Sequence, residues 1–192
     1  MKPKVGVLAV QGDVLEHLHA LEAAGARPVA VKNARDLASV AALVIPGGES
    51  TTVIRLLERF ALDRPIVDRV RAGMPLWGTC MGMIVAARDV AGLEQKTLGL
   101  IDITVRRNAF GRQVESAEVL LAIPALGPKP YPAVFIRAPW VERAGSGVET
   151  LASYGGHPVF VRQGNVMGTA FHPELTRDHR VHEYFFREFV VR

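Results

Sequence analysis

Across the first half of this 192-residue chain, short apolar runs alternate with segments of helical period. Residues 4–10, 27–31, 42–45 and 76–78 are apolar or β-branched almost throughout. A strand with one wet face alternates apolar and polar side chains, whereas a strand apolar on both faces must be covered on both. Between these runs, residues 13–24 carry Val14, Leu15, Leu18 and Leu21 as a helical stripe that Gly25 can end. Ser50 is placed to cap a helix reaching Phe60. Asp63 is placed to cap another, with Pro65 in its first turn and Gly73 at its end. A further helix is expected over 81–87. This alternation predicts an α/β fold, a three-layer arrangement of a sheet between helices, parallel in its first half.

After about Leu98 the pattern changes. Residues 100–106, 118–123, 133–138, 148–153, 158–162 and 166–170 read as strands with little helix between them. Gly155-Gly156 and Gly164-Asn165 are hairpin-turn signals, so these later strands are expected to be antiparallel. Residues 124–132, rich in proline, read as a stiff loop. Residues 178–190 close the chain as a helix, with Val181, Tyr184, Phe185 and Phe189 on one face. The expected architecture is one mixed-sheet domain over 1–192, resembling the flavodoxin-like folds. With 49% hydrophobic residues, the chain has the material for a sizeable core.

At the junction between the run 76–78 and the helix after it lies Gly78-Thr79-Cys80-Met81-Gly82, which holds the single cysteine of the chain. A free cysteine is commonly a small core side chain. Two flanking glycines change the reading, because a Gly-x-nucleophile-x-Gly turn exposes one side chain at the top of a sheet. Gly78 permits the tight turn and Gly82 lets the helix pack closely. The thiol then sits at a helix N-terminus, where unpaired N–H groups favour a thiolate, and the Met81 N–H can face an acyl oxyanion. The base candidate is His172 in His172-Pro173-Glu174. Pro173 pushes His172 toward extended backbone, so residues 172 and 174 point to one side. Glu174 can then orient the imidazole while its other nitrogen faces Cys80. Pro46-Gly47-Gly48-Glu49-Ser50-Thr51 joins a strand to a helix and offers Gly47 and Gly48 N–H groups as a second oxyanion donor. It lacks the lysine of a phosphate loop, which speaks against a nucleotide site.

The other histidines carry less. His17 and His19 are two apart on a helix and cannot face one point. His179 and His182 read as a solvated helix face, and no cysteine or third histidine joins them as a metal site would require. His157 is read as part of a hairpin turn. The net charge of +4 is mostly scattered arginine without interleaved aromatics, which speaks against nucleic acid. No apolar run is long enough for a membrane span or a signal-peptide core, and a lone cysteine fits a reducing compartment. A cytoplasmic protein without cofactor or metal is expected.

Together, Gly78-x-Cys80-x-Gly82 and His172-x-Glu174 resemble the class I, or triad, glutamine amidotransferases. The likeness narrows with Val7-Leu8-Ala9-Val10-Gln11-Gly12, Pro46-Gly47-Gly48-Glu49-Ser50-Thr51, Arg107-Asn108-Ala109-Phe110-Gly111-Arg112-Gln113, Val134-Phe135-Ile136-Arg137-Ala138-Pro139 and His172-Pro173-Glu174-Leu175. These are similar to the glutaminase subunits of pyridoxal 5'-phosphate synthases, over the whole chain and in order. The resemblance implies hydrolysis of L-glutamine to glutamate and ammonia. It implies delivery of the ammonia to a (β/α)8 pyridoxal 5'-phosphate synthase subunit in a large hetero-oligomer. It makes Cys80 the nucleophile, His172 the base and Glu174 the orienting acid. It places Gly47, Gly48, Glu49, Arg107, Ile136 and Arg137 at the glutamine site, with Gln11 near the partner. Met81 departs from the small residues common in that family, which affects the pocket beside the thiol and leaves the backbone N–H in place.

In this reading Gly48 and Met81 are the oxyanion donors. Low activity alone and activation on docking are expected, through the 47–49 loop adopting its donating conformation. Two other readings share the same residues: a glutaminase subunit serving a different acceptor enzyme, and a non-catalytic partner-binding module of the same fold.

Overall fold

The computed structural model describes residues 2–107 and 116–191. In chain order the elements are β1 (Lys4–Leu8), α1 (Val14–Ala23), β2 (Arg27–Val31), α2 (Ala34–Ala38), β3 (Ala42–Ile45), α3 (Ser50–Arg59), α4 (Asp63–Arg71), β4 (Leu76–Thr79) and α5 (Met81–Ala86). They continue as β5 (Ala87–Val90), β6 (Ile101–Arg106), β7 (Ser116–Leu121), β8 (Tyr131–Ile136), β9 (Trp140–Ala144), β10 (Glu149–Tyr154), β11 (His157–Gln163), β12 (Val166–Thr169) and α6 (Arg180–Phe185). The main sheet has seven strands in the order β10-β11-β12-β4-β3-β1-β2. Strands β2, β1, β3, β4 and β12 are parallel, and β10 and β11 are antiparallel additions. The mixed sheet expected from the sequence is therefore found, and every residue of β3, β4 and β12 is buried.

The strand order locates a crevice. From β1 the chain passes to β2 at the sheet edge, then back across β1 to β3 and on to β4. Parallel crossovers are right-handed, so this reversal puts α1 on one face of the sheet and the later crossover helices on the other. The loops leaving β1 and β3 consequently part at the sheet's C-terminal edge, which is where ligands of open α/β sheets bind. These two loops nearly touch at their bases, since a Cβ on Gly12 would collide with the Gly47 carbonyl. Register brings the neighbouring strand ends level: Thr79 lies beside Thr169, and Gly78 beside both Ile45 and Gly168.

Several local expectations shift. Glu49, not Ser50, is the residue before α3, and the buried Ser50 hydroxyl exchanges hydrogen bonds with the Gln95 amide instead. Asp63 is the first residue of α4 and sits 3.6 Å from Lys96 Nζ, while Leu62 occupies the cap position. Leu15 leaves the expected stripe and is 65% exposed, because a step of one residue turns 100° around the helix and His17 takes the inward place. His157 opens β11, and its ring stacks on Trp140 with centroids 3.7 Å apart. His182 does not lie on a solvated face. It is fully buried on α6, with its ring 4.8 Å from that of Trp77.

Beyond the main sheet, β5, β6 and β9 form a three-stranded sheet, and β7 with β8 forms a two-stranded ribbon. The ribbon matters for the site. The carbonyl of Val134 in β8 accepts the His172 N–H at 2.8 Å, so β8 is tied to the segment that leaves β12. The buried Tyr131 hydroxyl adds a second tie by donating to the Asp178 carbonyl at 3.0 Å.

Candidate active site

Four parallel strand ends deliver the site. Gln11, Gly12 and Asp13 follow β1, Gly48 and Glu49 follow β3, Cys80 and Met81 follow β4, and His172 follows β12. Arg107 follows β6 at the edge of the described residues, and the ribbon contributes Ile136 and Arg137. With Leu175 these residues line one cavity of about 530 Å³. The segment 108–113, which the sequence reading singles out, lies outside the described residues.

Cys80 occupies the elbow between β4 and α5, at φ 49°. A non-glycine residue there is strained, and the neighbourhood over-determines it. Its N–H donates to the Thr169 carbonyl at 2.7 Å, and its carbonyl accepts from the Met83 N–H at 3.1 Å. The flanking glycines serve by close approach. A Cβ on Gly78 would collide with the Gly82 carbonyl, and one on Gly82 with the Ile45 carbonyl. The thiol is buried and lies 3.8 Å from the Ile136 carbonyl. Met81 is the first residue of α5, where helix N–H groups have no intrahelical partner.

His172 Nδ1 and Glu174 Oε1 are 2.7 Å apart, and both side chains are buried. Burial alone would lower the His172 pKa. Hydrogen bonds and charge from Cys80 and Glu174 outweigh it and raise the pKa to about 10. Desolvation pushes the Glu174 carboxyl up, against the opposing pull of His172. Asp13, which no sequence motif marks, brings its partly exposed carboxylate 3.6 Å from the same Nδ1. Asp13, His172 and Glu174 present ligand atoms within 4.8 Å of one another. A cation there would have to displace the hydrogen bond between His172 and Glu174.

The glycine loop is held from the side. The Glu49 N–H donates to Gln11 Oε1 at 2.9 Å, and Gly48 at φ 152° passes so close to Gln11 that a Cβ there would collide with the amide oxygen. Gly47 does not line the cavity. It backs the imidazole, with room for a Cβ only 2.7 Å from His172 Cε1. At the mouth, the Glu49 carboxylate lies 3.6 Å from Arg107 and 4.0 Å from Arg137. Gln95 accepts from Arg107 Nη1 at 3.1 Å and so braces it. A thiol, an imidazole and an acid in sequence, beside helix N–H groups and a mouth carrying both charges, can carry out acyl transfer on a small zwitterion.

Comparisons with known proteins agree with this chemistry. The family model described as the SNO glutamine amidotransferase family matches residues 7–191. A protein of Frankia casuarinae named pyridoxal 5'-phosphate synthase subunit PdxT is 57% identical over 95% of this chain and 93% of its own length. One of the same name from Thermotoga petrophila is 49% identical over 95% of this chain and 97% of its own. A solved structure, described as a crystal structure of glutamine amidotransferase, superposes with a TM-score of 0.90. It is 46% identical and covers 95% of this chain and 97% of its own. A PurLQS structure from Thermotoga maritima, 18% identical with a TM-score of 0.69 over 98% of this chain and 99% of its own, shares the fold.

Proposed function

This chain belongs to the SNO glutamine amidotransferase family, and on that premise we propose that it is a glutaminase. It hydrolyses L-glutamine and passes the ammonia to a pyridoxal 5'-phosphate synthase subunit. The observation that carries the reading is the buried line from Cys80 through His172 to Glu174, at the sheet's C-terminal edge.

In the first step the Cys80 thiolate attacks the side-chain amide carbon of glutamine. Negative charge gathers on the former carbonyl oxygen, where Gly48 and Met81 N–H groups receive it. Each such donor is worth about 3–4 kcal/mol in a comparable acyl-transfer site. The His172 imidazolium gives its proton to the departing nitrogen, the C–N bond breaks, and ammonia leaves a γ-glutamyl thioester. His172, now neutral, takes a proton from water, whose oxygen attacks the thioester. Glutamate departs and the thiolate is restored. Glu174 holds the imidazole in one tautomer and stabilises its cation. Arg107 and Arg137 suit the substrate carboxylate, and Glu49 suits its ammonium group.

Ammonia protonates in neutral water and is then no nucleophile, so the reaction is productive only when coupled to the acceptor. The 47–49 loop, held by Gln11, is the element through which docking would turn the oxyanion donors on. The test is glutamate release from L-glutamine with and without the synthase subunit, with Cys80→Ala as the blank. Release that needs both Cys80 and the partner is expected. Release unaffected by Cys80→Ala would overturn the assignment, and an equal kcat with and without the synthase would overturn the activation.

A further inference from the structure

Behind Glu174 the polar side chains continue into the core. Among the described residues Glu174 Oε2 has no hydrogen-bond partner, and His17 Nε2 lies 3.3 Å from it. The same Nε2 is 3.1 Å from Thr79 Oγ1, on the residue just before the nucleophile. His17 Nδ1 is in turn 3.1 Å from His182 Nε2. All of these side chains are buried. Burial holds both His17 and His182 neutral, so each carries a single N–H.

Their protonation pattern then follows from the partners. A buried carboxylate oxygen facing an imidazole lone pair would be repelled, so the His17 proton belongs on Nε2. Its Nδ1 is then an acceptor and takes the His182 Nε2–H. This leaves His182 Nδ1 as a bare lone pair, in agreement with the absence of any partner for it among the described residues. One direction of donation therefore runs from α6 through α1, where the His17 Nε2–H is directed to Thr79 Oγ1 and lies against Glu174 Oε2, and Glu174 Oε1 in turn faces His172.

We propose that His17 is a positioning residue for glutamine hydrolysis: its Nε2–H, anchored on Thr79 Oγ1, lies 3.3 Å from Glu174 Oε2 and stabilises the carboxylate that orients His172. This rests on the glutaminase reading above. His17 touches no reacting atom and acts through Glu174.

The test compares three variants in the full chain. His17→Met removes the donor at similar volume. His17→Asn retains a polar group toward His182 but is too short to reach Glu174. His17→Gln keeps an N–H at the reach of Nε2. Two readouts are taken: kcat and KM for glutamate release with the synthase subunit, and the rate of iodoacetamide alkylation of Cys80 at pH 7. The latter is unambiguous because the chain has one thiol. Loss of the N–H dipole that faces a buried carboxylate oxygen predicts that His17→Met and His17→Asn lower kcat and the alkylation rate by about tenfold or more. KM should stay within about twofold, and His17→Gln should recover most of both rates. The asparagine variant carries the test if the methionine variant does not melt cooperatively. Wild-type rates in His17→Asn, or equal loss in the asparagine and glutamine variants, would overturn the proposal. If the wild type releases no glutamate with the synthase present, the glutaminase reading fails, while the alkylation comparison still decides the role of His17.

Discussion

At the scale of single residues, the site is built by contacts that permit almost no substitution. Gly82 faces the Ile45 carbonyl across a gap with no room for a methyl group, and a backbone carbonyl in a central strand cannot yield as a flexible side chain can. Gly82→Ala should therefore cost about 1–3 kcal/mol of stability through forced displacement of α5, measured by urea denaturation, and it should slow Cys80-dependent turnover as well. A fully stable, fully active Gly82→Ala protein would contradict that account. His172 gives a second prediction. Its pKa of about 10 means that the free protein holds an imidazolium at neutral pH, as the proposed proton donor to the departing nitrogen requires. The kcat/KM for glutamine should consequently fall as pH rises through about 10, since this parameter reports groups of the free enzyme. An activity loss centred near the ordinary histidine value would show that the pair with Cys80 and Glu174 does not raise it. Both residues were legible from sequence, because a Gly-x-Cys-x-Gly elbow and a His-Pro-Glu step constrain geometry within a few bonds. His17 was not. Helical spacing correctly separates it from His19, but only the inward placement of Val14, Leu18 and Leu21 marks 17 as a position on the buried stripe. Nothing local says that Glu174 waits on the other side.

Among the elements, those that bury apolar runs are found where the sequence puts them, and those held by distant polar partners are not. The strands β1, β2, β3, β4 and β12 are continuous apolar runs, and both Gly-containing hairpin turns fall at the expected residues. Gly155, Gly156 and Gly164 all have positive φ, as those turns require. By contrast, β5 carries Arg88 and Asp89 in its middle and β9 carries Glu142 and Arg143. Strand β9 is secured by cross-strand pairs, Arg106 to Glu142 at 2.6 Å and Arg143 to Asp102 at 3.0 Å, which no window along the chain can display. The ribbon β7–β8 was legible as strands, but its role was not. It reaches the site by closing over His172 and by placing the Ile136 carbonyl against the thiol. Tyr131 is its anchor, buried at the start of β8 with its hydroxyl on the Asp178 carbonyl. Tyr131→Phe should lose about 1–2 kcal/mol of stability, the usual cost of leaving a buried acceptor unpaired. If docking of the ribbon holds His172 in place, the variant should also lower kcat more than it raises KM. Unchanged denaturation and kinetics in Tyr131→Phe would show that the apolar contacts of the ribbon hold it alone.

For the whole molecule, burial of histidines makes stability a function of pH in two opposite senses. His182 is held down to about 3, first by desolvation and then by the charge of His179, and desolvation likewise holds His17 well below 6.5. In the unfolded chain both take protons near 6.5, while the folded chain refuses them. The unfolded state therefore binds more protons as pH falls below about 6.5, and stability declines toward the folded pKa. At pH 5 the His182 share of that loss is about 2 kcal/mol, and His17 adds to it in the same direction. His172 has the other sign. Its folded pKa is raised, so its stabilisation is complete below 6.5 and is lost as pH climbs through about 10. Stability should thus peak near the ordinary histidine value and fall on both sides. Urea denaturation of wild type and His182→Gln at pH 7 and pH 5 isolates the acid limb. The variant, which cannot titrate, should lose about 2 kcal/mol less between the two pH values than the wild type does, whatever its absolute stability. Equal losses in the two proteins would mean that His182 is hydrated or protonated in the folded state. In that case the donor line from α6 through His17 to Thr79, beside Glu174, would have no fixed direction.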